Sequence, residues 1–254
     1  MPQNKKQFLY RSLITIAFSI VIIGGFIVAE VPISKQPQWV AILFVGLLAL
    51  PTWIGLLKKC GWKKGSTLLL ALSMVACILE GIALKTGFPY GHFIYHYTAG
   101  FKLFELIPLT VPLAWTTIVI GSYAITSERG LKRAFPAIIS IIVCLLVIDL
   151  LMDPVMVSLQ IWTWIRPGWY YGVPVVNYLG WIGSGAIGAS LIYIGTKDSN
   201  SSKKYNGLIA LGLYLFIFFW LVIALLQGLW IPVLLGIIFL IITRRSLVSL
   251  FTIV

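Results

Sequence analysis

Eight runs of mostly apolar residues, at 9–29, 39–57, 66–84, 106–125, 134–152, 176–196, 207–226 and 229–243, constrain this chain more than any other feature. A helix crossing the hydrocarbon core of a bilayer needs about 20 such residues. With no bulk water at that depth, every backbone N–H and C=O must be paired within the chain, which leaves helices or a closed barrel. The runs are continuous rather than alternating, so the expectation is an all-α, polytopic integral membrane protein with about eight transmembrane helices. The last run is short, and seven spans is the other count the sequence allows. The first run follows Lys5, Lys6 and Arg11 as a secretory signal would, but it is too long for a signal's apolar region and lacks a small-x-small cleavage site. It reads as an uncleaved helix. The whole of 1–254 is read as one transmembrane domain.

The net charge of +12 invites a nucleic-acid reading until the cations are placed. Fifteen of the nineteen Lys and Arg residues fall on alternate connections, among them Lys58, Lys59, Lys63, Lys64, Arg129, Lys132, Arg133, Lys197, Lys203, Lys204, Arg244 and Arg245. Only Lys35, Lys85, Lys102 and Arg166 fall on the other side. This is the positive-inside bias of an even number of helices with both termini cytoplasmic. The charge reports topology, and no nucleic-acid partner is expected. Cys60, Cys77 and Cys144 have no CxxC spacing and read as small apolar residues.

The connections on the non-cytoplasmic side are unlike the short basic ones. After the third helix comes Thr86-Gly87-Phe88-Pro89-Tyr90-Gly91-His92-Phe93-Ile94-Tyr95-His96-Tyr97, and after the fifth, Trp162-Thr163-Trp164-Ile165-Arg166-Pro167-Gly168-Trp169-Tyr170-Tyr171-Gly172-Val173-Pro174. Trp and Tyr favour the headgroup level. The interleaved Gly and Pro predict shaped loops folding back at the membrane surface, tolerated where protein buries them or a cavity is lined. A literal GxGxxG at Gly183 to Gly188 is read as a decoy, since that fingerprint has meaning only between a strand and a helix. Inside a spanning helix, small residues make a smooth packing face.

Ionisable groups within a bilayer cost roughly 2.5 to 3.5 kcal/mol each on insertion scales, so each needs a reason. Glu80 lies near the outer end of the third helix, and Asp149 and Asp153 share one face near the outer end of the fifth. Two acids four residues apart in an apolar setting cannot both ionise cheaply, which leaves a proton donor beside an acceptor. Glu80 and Asp153 also admit plain structural roles, as an interhelical hydrogen-bonding group and as the residue closing the fifth helix. Glu30, Glu105, Glu128 and Asp198 read as solvated or headgroup-level acids. His92 and His96 are the only histidines. They are too few for a membrane di-iron site, and interfacial hydrogen bonding is preferred to a metal. Around the acids gather Tyr90, Tyr95, Trp115, Trp162, Trp164, Tyr170, Tyr171, Asn177 and Trp181. Aromatic faces attract cations and suit flat hydrocarbons, although a plain interfacial belt explains many of these rings.

Glu80-Gly81, Gly87-Phe88-Pro89-Tyr90-Gly91, Val111-Pro112-Leu113-Ala114-Trp115, Asp149-Leu150 with Asp153-Pro154, Trp162-Thr163-Trp164, Gly168 to Pro174 and Asn177-Tyr178-Leu179-Gly180-Trp181 together resemble the membrane carotenoid biosynthesis proteins of the CruF type. These are the carotenoid 1′,2′-hydratases of bacteria and archaea, including bisanhydrobacterioruberin hydratases. The resemblance spans about 80–181. It implies a cofactor-free addition of water to the C1–C2 double bond of an acyclic ψ-end, with lycopene-like isoprenoids as substrates. It also implies the cell membrane of a bacterium or archaeon, with membrane lipids and other carotenoid biosynthesis enzymes as neighbours. Protonation of C2 generates a tertiary cation at C1, so the reaction needs a neutral acid, aromatic shielding and a base for water. On this reading Asp149 or Glu80 donates the proton, Asp153 accepts from water, and Tyr90, Trp164 and Tyr171 shield the cation. Two other functions fit the same residues: an isomerase or cyclase-like enzyme acting through the same cation, and a proton-coupled transporter or lipid carrier.

Overall fold

The computed structural model describes residues 3–31, 37–96, 101–131, 133–197, 199 and 203–252. Lys35, Tyr97, Lys132 and Asp198, all read above as loop residues, lie outside the described residues, as do the side chains of Lys5, Lys6, Lys203 and Lys204. Eight long helices are described: α1 (Gln3–Glu30), α2 (Gln38–Cys60), α3 (Trp62–Thr86), α4 (Thr110–Glu128), α5 (Ala134–Ser158), α6 (Val175–Thr196), α7 (Lys203–Leu226) and α8 (Trp230–Thr252). Four short strands interrupt the all-α pattern: β1 (Phe93–Tyr95), β2 (Lys102–Leu103), β3 (Ile107–Pro108) and β4 (Trp162–Trp164).

Large aliphatic side chains such as Ile16, Ile23, Leu47, Leu70, Ile139 and Ile241 stand on the outside. An apolar exterior of this extent suits lipid and not water. Among the described residues, α1, α2, α3, α5, α6 and α7 are long and apolar enough to cross a membrane. The chain is a predominantly helical membrane protein. Helix α4 is less apolar because it does not face lipid: it packs against α2, α3, α5, α6 and α7 and buries every residue from Trp115 to Thr126. Hydroxyls are tolerated there because they bond back to the helix, as Thr116 does to the Pro112 carbonyl at 2.7 Å.

Several helices run beyond their apolar segments, α1 beginning at Gln3 and α8 reaching Thr252 in place of 243, and two boundaries near the cavity differ, each for a physical reason. The fourth helix begins at Thr110 and not at 106, because Ile107 and Pro108 pair antiparallel with Lys102 and Leu103. The fifth continues past 152 to Ser158, so Asp153 lies inside it and does not close it. Pro154 lacks the N–H that would bond the Leu150 carbonyl. The hydroxyl of Tyr170, reaching over from the following loop, donates to that carbonyl at 2.9 Å. Tyr170 is held there by a tight turn in which Tyr171 and Gly172 both take positive φ and the Val173 N–H bonds the Tyr170 carbonyl. Tyr170→Phe is expected to cost about 1 kcal/mol, as the loss of a typical intramolecular hydrogen bond does, and to lower the thermal midpoint by about 2 to 4 °C. An unchanged midpoint would show that the carbonyl has another partner.

The loops after α3 and α5 join each other. β1 pairs antiparallel with β4 in the register Phe93↔Trp164, Ile94↔Thr163, Tyr95↔Trp162. Alternation along the strands puts Phe93, Tyr95, Trp162 and Trp164 on one face, while Ile94 on the other is half exposed. The ladder extends through Ile165 N–H to the His92 carbonyl and His96 N–H to the Ile161 carbonyl. The GxGxxG run lies within α6. Two of its three glycines serve packing, a Cβ at Gly188 standing 2.7 Å from Trp115 and one at Gly185 2.9 Å from Leu145, whereas Gly183 meets open space; at Gly180, just before the run, a Cβ would stand 2.7 Å from the Pro89 carbonyl oxygen.

Candidate active site

Beneath the two-stranded ribbon lies a cavity of about 500 Å³. Helix α3 ends at Gly87, whose left-handed φ of 77° and close approach to the His92 ring leave no room for a side chain. The chain then turns back over the bundle, and β1 and β4 present their aromatic face to the cavity. Phe93, Tyr95, Trp162 and Trp164 all line it. Their rings meet edge to face or tilted: Phe93 with Tyr95 at 5.5 Å, Tyr95 with Trp162 at 5.7 Å, Phe93 with Trp164 at 6.2 Å. The Trp164 indole N–H donates to the Tyr90 carbonyl at 2.9 Å, tying the ribbon to the turn before it. Tyr90, Trp115 and Trp181 complete the aromatic wall, the rings of Tyr90 and Trp181 6.4 Å apart.

Two carboxyls reach this wall. Glu80, buried near the end of α3, accepts a hydrogen bond from the Tyr95 hydroxyl at 2.7 Å on Oε1. Loss of hydration, and then the neighbouring Glu80 carboxyl, push the Tyr95 phenol well above its ordinary value. Tyr95 is therefore a neutral donor at physiological pH. Asp153 is the second carboxyl on the wall, and Asn177 of α6 stands beside it. The Asn177 amide donates through one nitrogen to both aspartates, at 2.6 Å to Asp153 Oδ2 and 3.0 Å to Asp149 Oδ2. One NH₂ group carries two hydrogens, one for each acid. Asp149 itself is fully buried behind the wall, with Oδ1 making no hydrogen bond among the described residues.

Nine of the twelve residues singled out in the sequence thus border one cavity: Glu80, Tyr90, Tyr95, Trp115, Asp153, Trp162, Trp164, Asn177 and Trp181. Three do not. Asp149 sits one layer back, Tyr170 is committed to the Leu150 carbonyl, and Tyr171 lies in the turn that positions Tyr170. The sequence reading has Tyr171 shielding a cation, and its place in that turn keeps it off the wall. His92 and His96 flank a strand and not a helical face, with His96 Nε2 bonded to Thr163 Oγ1. Along a strand, four residues separate them by about 13 Å, too far for one metal. Missed in the sequence was the apolar half of the cavity, supplied by α1, α2 and α7 through residues such as Phe44, Phe216, Phe219 and Trp220. Along their apolar runs those helices carry hydroxyls such as Thr15, Ser19 and Thr52 but no acid to mark one face, so hydropathy alone does not single them out. Trp115 Nε1 is a buried donor with no partner among the described residues, on the wall of the same cavity.

Two carboxyls thus sit in a largely apolar, aromatic cavity of a helical membrane protein, a lining that suits a lipid-dissolved molecule. The chain belongs to the carotenoid biosynthesis protein family, which matches residues 36–243. This bears out the resemblance read from the motifs. Over 176 residues the chain is 26% identical to a bisanhydrobacterioruberin hydratase of Haloarcula japonica, covering 68% of this chain. The match spans 59% of the length of that relative. No solved structure matches the chain.

Proposed function

We propose that this protein hydrates the terminal C1–C2 double bond of an acyclic carotenoid ψ-end, without a cofactor. The observation that carries the reading is a pair of carboxyls, Glu80 and Asp153, on the wall of a cavity whose lining is otherwise apolar and aromatic but for Thr110 and the Asn177 amide. The name of the haloarchaeal relative supports the same reaction class. In this mechanism Glu80, its Oε1 engaged by Tyr95, transfers the proton on its other oxygen to C2. The alkene's π electrons form the new C–H bond, leaving a tertiary cation at C1. The faces of Tyr90, Trp164 and Trp181 stabilise that charge. Water adds its oxygen to C1 and passes a proton to Asp153; Asp153 then releases that proton to solvent water, and solvent water returns one to Glu80. Asp149, through Asn177, orients Asp153 and does not itself touch the substrate. Proton loss from the cation in place of water capture would give an isomer.

The same reading includes topology. All eight helices span the membrane of the cell, with both termini cytoplasmic and the ribbon on the opposite side, in line with the fifteen-to-four division of Lys and Arg.

Expression in a lycopene-producing host tests the activity. The expected product carries the mass of one water per modified end and a tertiary hydroxyl, and Asp153→Asn lowers its yield by about 100-fold or more. Lycopene recovered unchanged with the wild-type protein present would reject the reaction, and full yield from Asp153→Asn would reject the base.

A further inference from the structure

The carboxyl-bearing end is only half of the cavity. Its other arm runs between α1 and α2, where Ile20, Ile23 and Ile27 face Val40, Ala41 and Phe44. Ile20, Ile23 and Ile27 are also 53%, 59% and 49% exposed. The same side chains therefore form the inner wall and the outer face, and the cavity opens sideways toward lipid at that point. Helix α1 packs along α7 and more lightly on α8, and no extended interface with α2 closes the gap among the described residues. The two helices approach at Gly24, where a Cβ would stand 2.8 Å from the edge of the Phe44 ring. Phe44 leans in turn on Phe219 of α7, with ring centroids 4.8 Å apart. The residues facing each other across the opening are aliphatic or aromatic, so it suits hydrocarbon and offers nothing to a headgroup.

Size gives the opening its meaning. A cavity of about 500 Å³ falls in the range of roughly 300 to 1,000 Å³ that encloses a drug-sized ligand. An acyclic carotenoid is far longer than such a ligand, so one end fills the cavity and the rest must leave it. We propose that the substrate binds end-in: its terminal double bond lies at Glu80 and Asp153, its polyene passes between α1 and α2, and its far end stays in the surrounding lipid. This rests on the carotenoid reading above. The far end then goes uninspected, and a symmetric substrate is modified one end per binding event. Helix α1 precedes residue 36, where the family match begins, so the α1 side of the opening lies outside the matched region.

Ala41→Trp narrows the opening and Phe44→Ala widens it. Each is compared with wild type on lycopene, which must occupy the opening, and on a monoterpene alkene with the same terminal double bond, which fits wholly inside. Ala41→Trp is expected to lower the lycopene-to-monoterpene ratio of kcat/KM by about tenfold or more, and Phe44→Ala to raise it. Quenching of the wall tryptophans by bound polyene supplies a readout independent of turnover, and Ala41→Trp weakens it for lycopene. An unchanged ratio in both variants, with unchanged quenching, overturns end-in binding. Hydration of neither substrate by the wild type, with the quenching pattern intact, overturns the hydratase reading and leaves the binding mode standing.

Discussion

Glu80→Gln is expected to lower carotenoid hydration by about two to four orders of magnitude, the usual contribution of a general acid. The amide matches the carboxyl in size, and its oxygen still accepts the Tyr95 hydroxyl that now meets Glu80 at 2.7 Å. It has no proton to give. The substitution therefore removes the donor while keeping the wall, and quenching of the wall tryptophans by lycopene should stay at its wild-type level. Liquid chromatography of pigments from a lycopene-producing host measures the product, and the quenching titration measures binding. More than about a tenth of wild-type yield would remove Glu80 from the acid's role, since acid catalysis accounts for at least about 100-fold. Loss of quenching together with yield would instead make Glu80 a residue that shapes the cavity.

The second large effect is expected at Asn177, a residue that performs no chemistry in the mechanism. Its single amide nitrogen serves Asp149 Oδ2 and Asp153 Oδ2 at once, and Asp149 Oδ1 makes no hydrogen bond among the described residues. A hydrogen bond between membrane helices is worth about 0.6 kcal/mol on average and about 1.7 at most. Losing two, with two buried acids left facing each other, is expected to cost about 2 kcal/mol. For a chain of this size that lowers the thermal midpoint of Asn177→Leu by about 4 to 8 °C. Yield should fall by about tenfold or more, because Asp153 is no longer held in place. Adding Asp149→Asn to Asn177→Leu should restore part of the stability, since one buried acid is then replaced by an amide that can donate to Asp153. That non-additivity is the mark of a shared network. Additive losses, or a midpoint within about a degree of wild type, would mean that Asn177 does not bind the pair.

Much of this was legible in the chain itself. Bilayer physics reads directly on sequence, since a span needs a run of apolar residues and an acid inside one needs a reason. That is why the helical membrane class and the acids Glu80, Asp149 and Asp153 stand out from the sequence alone. Helix α4 shows where the logic weakens: a helix surrounded by other helices is released from lipid and carries threonines instead. Pro154 shows a second limit. A proline normally ends a helix, and here Tyr170, from the loop that follows, takes up the carbonyl it frees.

The ribbon of β1 and β4 was beyond any local reading. Phe-Ile-Tyr and Trp-Thr-Trp are three residues each, too short to declare a strand, and they become one only by pairing across the whole of α4 and α5. That pairing decides which aromatic rings face the cavity. The aspartates are sorted in the same way: an i, i+4 spacing puts Asp149 and Asp153 on one helical face, but only the packing of α6 on α5 sets Asn177 between them and leaves Asp153, of the two, at the wall. The sequence by itself determined the solvent, the helices and the chemical types at the site, because each follows from local composition and the cost of polar groups in lipid. Tertiary structure alone decided which acid meets the cavity and where the cavity opens, because both depend on which faces of distant helices touch.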